Sequence, residues 1–104
     1  HVSDLVEAHL AALTYLQGGG ASDTFNCGYG QGFSVLEVLA AVKRVSGSDF
    51  AVELAPRRPG DPAAVVADSG HIRSKLGWTP RFDDLDTIVG HALAWERKLH
   101  SGPR

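Results

Sequence analysis

Apolar side chains recur every three or four residues in three parts of the chain, which predicts three amphipathic helices. The first runs from Ser3 to about Gln17, the second opens with a capping box at Ser34 to Glu37 and closes at Gly47, and the third runs from Asp84 to about Leu99. A fourth, short helix ends at Leu76 and is capped at its start by Asp68 or Ser69.

The remaining apolar runs are short and are bounded by turn-forming residues, which is typical of strands. They span 24–27, 50–55 and 64–67. The predicted order of elements is therefore helix, strand, helix, strand, strand, helix, helix. This order indicates the α/β or α+β class with a small sheet.

Three large side chains are expected in the core of this fold. Trp78 follows the helix-ending Gly77 and can pack back over that helix. Trp95 lies on the apolar side of the last helix, and His9 lies on the apolar side of the first helix together with Leu5 and Leu13. We expect each of the three to be buried.

Composition excludes several classes of protein. The 104 residues suffice for one domain or a piece of a larger one, and a net charge of -2 offers no basic surface for nucleic acid. No apolar run approaches the roughly 18 residues of a membrane span. The single Cys27 cannot form an internal disulfide, so we expect a reducing, cytoplasmic setting. The chain has no Met and opens directly at a helix cap, which is expected of a cut end.

A glycine-rich segment, Gly28-Tyr29-Gly30-Gln31-Gly32, lies between a predicted strand and a predicted helix. A dinucleotide-binding fingerprint occupies that place but needs glycine at its first, third and sixth positions. The sixth position here is Phe33, which is too bulky for close packing of helix on strand. We therefore predict a strand-to-helix loop and no cofactor site.

Metal-binding and hydrolytic sites are not predicted either. The five histidines never fall at the i, i+4 spacing of a helical metal site, and the lone cysteine has no partner. No nucleophile-elbow motif is present. The sequence thus predicts no metal and no hydrolase.

The turn Arg57-Arg58-Pro59-Gly60-Asp61 carries more charge than a turn requires. The guanidinium of Arg58 presents a planar fork of donors that matches phosphate oxygens two at a time. Asp61 can accept hydrogen bonds from sugar hydroxyls, or it can simply pair with an arginine in a surface salt bridge. The residues leave both explanations open.

Four segments carry a resemblance to a known family, in order and correctly spaced. They are HVSDLVEAHLAAL, FNCGYGQGFSVLEVL, APRRPGDPAAVVAD and KLGWTPRFDDLDTIVGHALAW. Together they resemble the C-terminal part of UDP-glucose 4-epimerase, an NAD-dependent extended short-chain dehydrogenase/reductase. The resemblance covers nearly the whole chain.

The resemblance implies an α/β fold that is the C-terminal portion of an extended Rossmann-type enzyme, in which residues 1–100 bind the UDP-sugar and 101–104 form a flexible tail. It implies that Arg58 contacts the diphosphate and Asp61 the uridine ribose. Separately, we expect self-association, with a dimer as the expected assembly, because the first helix and the predicted strand at 24–27 would leave apolar surface and a strand edge uncovered. The intact enzyme would bind NAD and interconvert UDP-glucose and UDP-galactose through a 4-keto sugar. Some relatives use a tyrosine four residues after the aspartate, where this chain has Val65.

The catalytic residues of that family are missing from this chain. The family uses a Tyr-x-x-x-Lys pair, but the residues four positions after Tyr15 and Tyr29 are Gly19 and Phe33. We therefore expect no catalytic residue and no bound NAD on this chain alone. Two alternatives stay open: a fragment of another nucleotide-sugar epimerase or dehydratase, and a non-catalytic domain that associates with itself.

Overall fold

The computed structural model describes residues 1–102, which contain four α-helices and no β-strand. The helices are α1 (Val2–Gln17), α2 (Val35–Ser46), α3 (Gly70–Leu76) and α4 (Leu85–Ser101). All four were predicted, and their ends differ from the predicted ones by at most two residues. Local signals set these ends, as the helix caps show.

The caps of α2 follow the sequence directly. The Ser34 hydroxyl accepts a hydrogen bond from the Glu37 N–H at 3.0 Å, and the Glu37 carboxylate accepts one from the Ser34 N–H. Gly47 ends the helix with φ +69°, a left-handed conformation that costs glycine little. The predicted capping box is confirmed.

The cap of α1 differs from the predicted one, whereas the bond at the start of α3 is made by Asp68, one of the two predicted residues. His1, rather than Ser3 or Asp4, caps α1 with its ring nitrogen, and Asp4 lies inside the first turn. At α3 the Asp68 carboxylate accepts from the Gly70 N–H at 3.0 Å, whereas Ser69 makes no capping bond.

The predicted α/β class with a small sheet is wrong. The runs 24–27, 50–55 and 64–67 form neither helix nor strand, and residues 1–102 contain no strand ladder. A strand exists only when its backbone N–H and C=O groups pair with a neighbouring strand, so apolar composition alone does not make one. Residues 51–55 of the second run are also exposed, with Leu54 85% accessible.

The chain divides into two compact units. Unit 1 comprises His1–Gly32 and Val65–Asp83 and includes α1 and α3. Its core consists of Ala8, Ile72 and Trp78, with Phe25, Cys27 and Leu76 partly buried against them. Trp78 is 4% exposed, which confirms the predicted core position.

The two other predicted core residues are exposed. His9 lies on the surface, where its Nδ1 is 2.8 Å from the Leu5 carbonyl oxygen, and Trp95 is 56% exposed. The buried side of α1 carries Asp4 and Ala8, while Leu5 and Leu13 on another side are about half exposed. The prediction placed the wrong side of α1 in the core because leucine is more apolar than alanine.

Unit 2 comprises Phe33–Ala64 and the segment from Asp84 onward, and in it α2 packs against α4. Ala41 on α2 and Val89 on α4 are buried in this unit. Arg44 pairs with Asp86 through two hydrogen bonds, one of them 3.0 Å from Nε to Oδ2. This pair raises the pKa of Arg44 and lowers that of Asp86.

The expected boundary between residues 1–100 and a tail at 101–104 stays a prediction. Ser101 is the last residue of α4, and residues 103 and 104 lie outside the described part of the chain. Within residues 1–102, no helix combines the length and the apolar character that crossing a membrane requires.

Candidate functional site

Arg58 and Asp61, the two predicted substrate-binding residues, lie at the first and fourth positions of one β-turn in unit 2. Pro59 occupies the second position, and Gly60 occupies the third with φ +84°. The Asp61 N–H donates to the Arg58 carbonyl across the turn at 3.4 Å. Proline followed by a residue with positive φ is the signature of a type II turn.

Two further constraints stiffen the turn. Arg58 precedes Pro59 and Asp61 precedes Pro62, and a residue before proline is restricted to extended backbone conformations. The backbone therefore fixes where both side chains leave the turn, although every residue from 51 to 66 is exposed.

The side chains of the turn bind each other. Arg58 Nε donates to Asp61 Oδ2 at 2.9 Å, while the two side chains remain 85% and 44% exposed. The surface salt bridge that the sequence left open as an explanation is thus present. It uses only one of the five N–H donors of the guanidinium, and the four on Nη1 and Nη2 have no partner among residues 1–102.

The arrangement suits a ligand that is both an anion and a polyol. The outer edge of the Arg58 guanidinium can donate two parallel hydrogen bonds to a phosphate. Oδ1 of Asp61 can accept from a hydroxyl while Oδ2 holds Arg58. Arg57 is also exposed but makes no contact with Asp61.

The glycine-rich loop packs closely against residues 66–67. A Cβ atom at Gly28 would lie 2.7 Å from Ala67 Cβ, and one at Gly32 would lie 2.7 Å from Val66 Cγ2. These glycines allow residues 28–32 to approach 66–67 closely in unit 1. The expected absence of a cofactor site in this loop stays a prediction.

Asp4 is a buried charged residue whose position the sequence reasoning missed. Its side chain is 3% exposed and accepts three hydrogen bonds: from the Tyr29 hydroxyl at 2.7 Å, the Arg81 N–H at 2.8 Å and the Phe82 N–H at 3.0 Å. In addition, Trp78 Nε1 donates to the Asp4 carbonyl at 3.0 Å. The sequence signal that could have predicted a buried Asp4 is its position on the same side of α1 as the small residue Ala8.

The surroundings of Asp4 keep it ionised. Burial by itself raises the pKa of Asp4, but the hydrogen bonds from Arg81, Tyr29 and Phe82 outweigh burial and hold the pKa below its usual value. Burial and the bond to Asp4 raise the pKa of Tyr29 well above its usual range. Tyr29 is therefore a hydrogen-bond donor at neutral pH and a poor general base.

A groove of about 320 Å³ lies beside this pair in unit 1. Asp4, Tyr29 and Trp78 contribute to its lining, together with Leu5 and Cys27. Beside this groove, the Tyr29 hydroxyl donates to the Asp4 carboxylate and accepts from the amino group of His1 at 2.9 Å. Among residues 1–102, no cluster of three His, Cys, Asp or Glu side chains could hold a metal ion.

Comparison with known proteins shows that the chain is similar in sequence to part of a longer protein. No family model matches it. A UDP-glucose 4-epimerase from Azospirillum brasilense is 52% identical over 99 residues, which are 95% of this chain and 28% of that protein. The chain thus spans less than a third of the length of this relative.

Solved structures show the same relationship. The UDP-Glc/GlcNAc 4-epimerase from Campylobacter jejuni is 53% identical with a TM-score of 0.84, over 94% of this chain and 30% of that one. The UDP-glucose-4-epimerase from Stenotrophomonas maltophila, with bound NAD and formylated UDP-arabinopyranose, is 37% identical with a TM-score of 0.89, over 95% of this chain and 29% of that one. Along nearly its whole length, the chain is therefore homologous to the C-terminal part of the UDP-glucose 4-epimerases.

Proposed function

We propose that this chain is the UDP-sugar-binding part of a UDP-glucose 4-epimerase. In this proposal Arg58 donates to the diphosphate and Asp61 accepts from the uridine ribose. The observation that carries the proposal is the turn itself, in which the Nη1 and Nη2 groups of Arg58 and Oδ1 of Asp61 are exposed and have no partner among residues 1–102. The homology supports it, because a relative binds a UDP-sugar.

The intact protein would interconvert UDP-glucose and UDP-galactose through a 4-keto intermediate, with NAD as the cofactor that takes up and returns the hydride. The segment from Gly28 onward has Phe33 where the dinucleotide fingerprint needs glycine, so we propose that NAD binds a part of the epimerase outside these residues. We propose a cytoplasmic protein, from the single Cys27, and a dimeric assembly.

The chain by itself is proposed to be inactive. No lysine stands four residues after Tyr15 or Tyr29, and the Tyr29 hydroxyl is held by Asp4. Turnover of UDP-galactose by the purified chain, or NAD retained in stoichiometric amount, would contradict this.

The binding site is tested by NMR titration of the chain with UDP. We expect the amide signals of residues 57–61 in unit 2 to shift most, and those around Asp4 and Trp78 in unit 1 to shift little. The Arg58→Ala variant should lose these shifts and the Arg57→Ala variant should keep them. Largest shifts in unit 1, or equal shifts in both variants, would contradict the assignment.

The enzyme class is tested in a chimera in which this chain replaces the matching segment of the Azospirillum brasilense relative. We expect the chimera to interconvert UDP-glucose and UDP-galactose. A chimera that folds and binds NAD but turns over a different nucleotide sugar would favour the alternative of another epimerase or dehydratase.

A further inference from the structure

The bond between Arg58 and Asp61 bears on how this turn would bind a ligand. Both residues were assigned above to direct contact with a ligand, yet in the structure they are bonded to each other. We infer that Asp61 is also a positioning residue, which holds Arg58 by Nε so that the Nη1 and Nη2 edge is turned outward before any diphosphate arrives. This inference rests on the proposed function of the turn.

The geometry of the bond supports this role. A guanidinium can offer phosphate either its Nε and one Nη or both Nη groups, and the 2.9 Å bond to Asp61 Oδ2 removes the first choice. The long side chain of arginine otherwise samples many rotamers when it is 85% exposed. Fixing one end of the guanidinium lowers the entropy cost of binding at the other end.

Pairing with Arg58 also reduces the repulsion between Asp61 and an anionic ligand. An unpaired carboxylate beside a diphosphate would repel it, because like charges at close range disfavour each other. The pair with Arg58 is neutral, and Arg57 adds one positive charge to the turn. The carboxylate can therefore remain next to an anionic ligand and still accept from a hydroxyl.

The backbone of the turn places Arg58 and Asp61 where their side chains can pair. Pro59, Gly60 at φ +84° and Pro62 hold the two Cα atoms in the fixed relation of first and fourth turn positions. An exposed ion pair between two flexible side chains contributes little by itself. Here the rigid turn supplies the ordering, and the pair selects one orientation of the guanidinium.

Inorganic pyrophosphate is the probe that isolates this role, because it has phosphates but no ribose. Removing the Asp61 carboxylate raises the net charge of residues 57–61 from one positive charge to two. If Asp61 acted only as a charge or a ribose acceptor, Asp61→Ala would leave pyrophosphate binding unchanged or tighten it. If Asp61 positions Arg58, Asp61→Ala weakens pyrophosphate binding, by about three- to fivefold.

Calorimetric titration of pyrophosphate into the 104-residue chain and its variants measures this effect. The matched control is Glu53→Ala, which removes an exposed carboxylate near the turn and should not weaken binding. Asp61→Asn keeps an acceptor for Nε and should recover most of the affinity lost in Asp61→Ala. Unchanged or tighter binding in Asp61→Ala would overturn the inference.

The outcomes separate this inference from the proposed function. Arg58→Ala variants that bind UDP and pyrophosphate as the wild type does, or a wild type that binds neither, would contradict the proposed function. Weak binding in Arg58→Ala together with normal binding in Asp61→Ala would contradict only the positioning role.

A second measurement needs no ligand. The Nε–H proton of Arg58 should exchange with water more slowly than that of Arg57, and Asp61→Ala should remove the difference. Equal exchange rates in the wild type would overturn the inference, whatever the binding data show.

Discussion

Two aspartates, one in each unit, illustrate how surroundings decide what a carboxylate does. Asp4 in unit 1 is 3% exposed and accepts hydrogen bonds from Tyr29, Arg81 and Phe82. Asp61 in unit 2 is 44% exposed and accepts one, from Arg58. The first carboxylate joins parts of the chain up to 78 residues apart, and the second keeps an oxygen available for a ligand.

The difference shows that the burial of a carboxylate and the hydrogen bonds it accepts matter as much as its charge. A buried carboxylate must receive several hydrogen bonds to offset its lost hydration, and Asp4, at 3% exposure, presents almost no surface to a ligand. An exposed carboxylate with one partner costs little to keep and can still bind. Asp4 therefore stabilises the fold of unit 1, whereas Asp61 and Arg58 are the residues that we propose for ligand recognition.

The largest expected effect is the loss of stability in Asp4→Ala. Removing this carboxylate leaves the Tyr29 hydroxyl and the N–H groups of Arg81 and Phe82 without their acceptor. We expect the free energy of unfolding to fall by about 3 kcal/mol, measured by urea denaturation. Asp61→Ala is the matched control and should change it by no more than about 0.5 kcal/mol. Equal losses in the two variants would break the comparison.

A second change affects unit 1 through its backbone. Gly28→Ala would place a Cβ atom 2.7 Å from Ala67 Cβ, so one of the two segments must shift. We expect a loss of about 1 to 3 kcal/mol in unfolding free energy. Gly90→Ala in α4, where the nearest atom is 3.7 Å away at Val45, is the control and should not destabilise. A neutral Gly28→Ala would show that the close approach is not needed.

The dependence of stability on pH tests the ionised state of Asp4. Because the pKa of folded Asp4 is lowered below its ordinary value of 3.8, its contribution is complete above the unfolded pKa, which is about 3.9, and is lost as the pH falls through the folded pKa. The stability advantage of the wild type over Asp4→Asn should thus shrink on acidification from about pH 5. An advantage that stays constant down to about pH 2 would contradict the ionised Asp4.

Self-association is the smallest effect expected. Val2, Val6, Leu10 and Leu13 on α1 are each about half exposed or more. We expect these apolar side chains to make the isolated chain associate at high concentration. Light scattering would show a rising mass for the wild type and a smaller rise for Leu13→Gln. A clean monomer at every concentration would contradict this prediction.

The sequence was sufficient wherever the determining contacts are local. The α2 capping box needs only Ser34 and Glu37, and the turn at 58–61 needs only Pro59 and Gly60. The ion pair between Arg58 and Asp61 was one of two explanations that the residues allowed. Trp78 was placed correctly because a glycine-ended helix lies directly before it.

The sequence was insufficient wherever the partner is remote. Asp4 resembles a helix cap in its local sequence, and its role depends on Arg81 and Phe82, which lie 77 and 78 residues away. The runs 24–27 and 64–67 have strand-like composition, but composition does not say whether a ladder forms. The exposed leucines of α1 show the same limit, since apolar periodicity marks a side of a helix without saying what covers it.

The most direct test of the account is the KM for UDP-galactose in the chimera with the Azospirillum brasilense relative. A charge-assisted hydrogen bond contributes roughly 1.5 to 3 kcal/mol, so Arg58→Ala should raise KM by roughly 10- to 100-fold. Arg58→Lys should recover only part of this loss, because an ammonium lacks the bidentate geometry. Arg57→Ala should leave KM unchanged. A KM that is unaffected by Arg58→Ala, or that rises only in Arg57→Ala, would contradict the central claim.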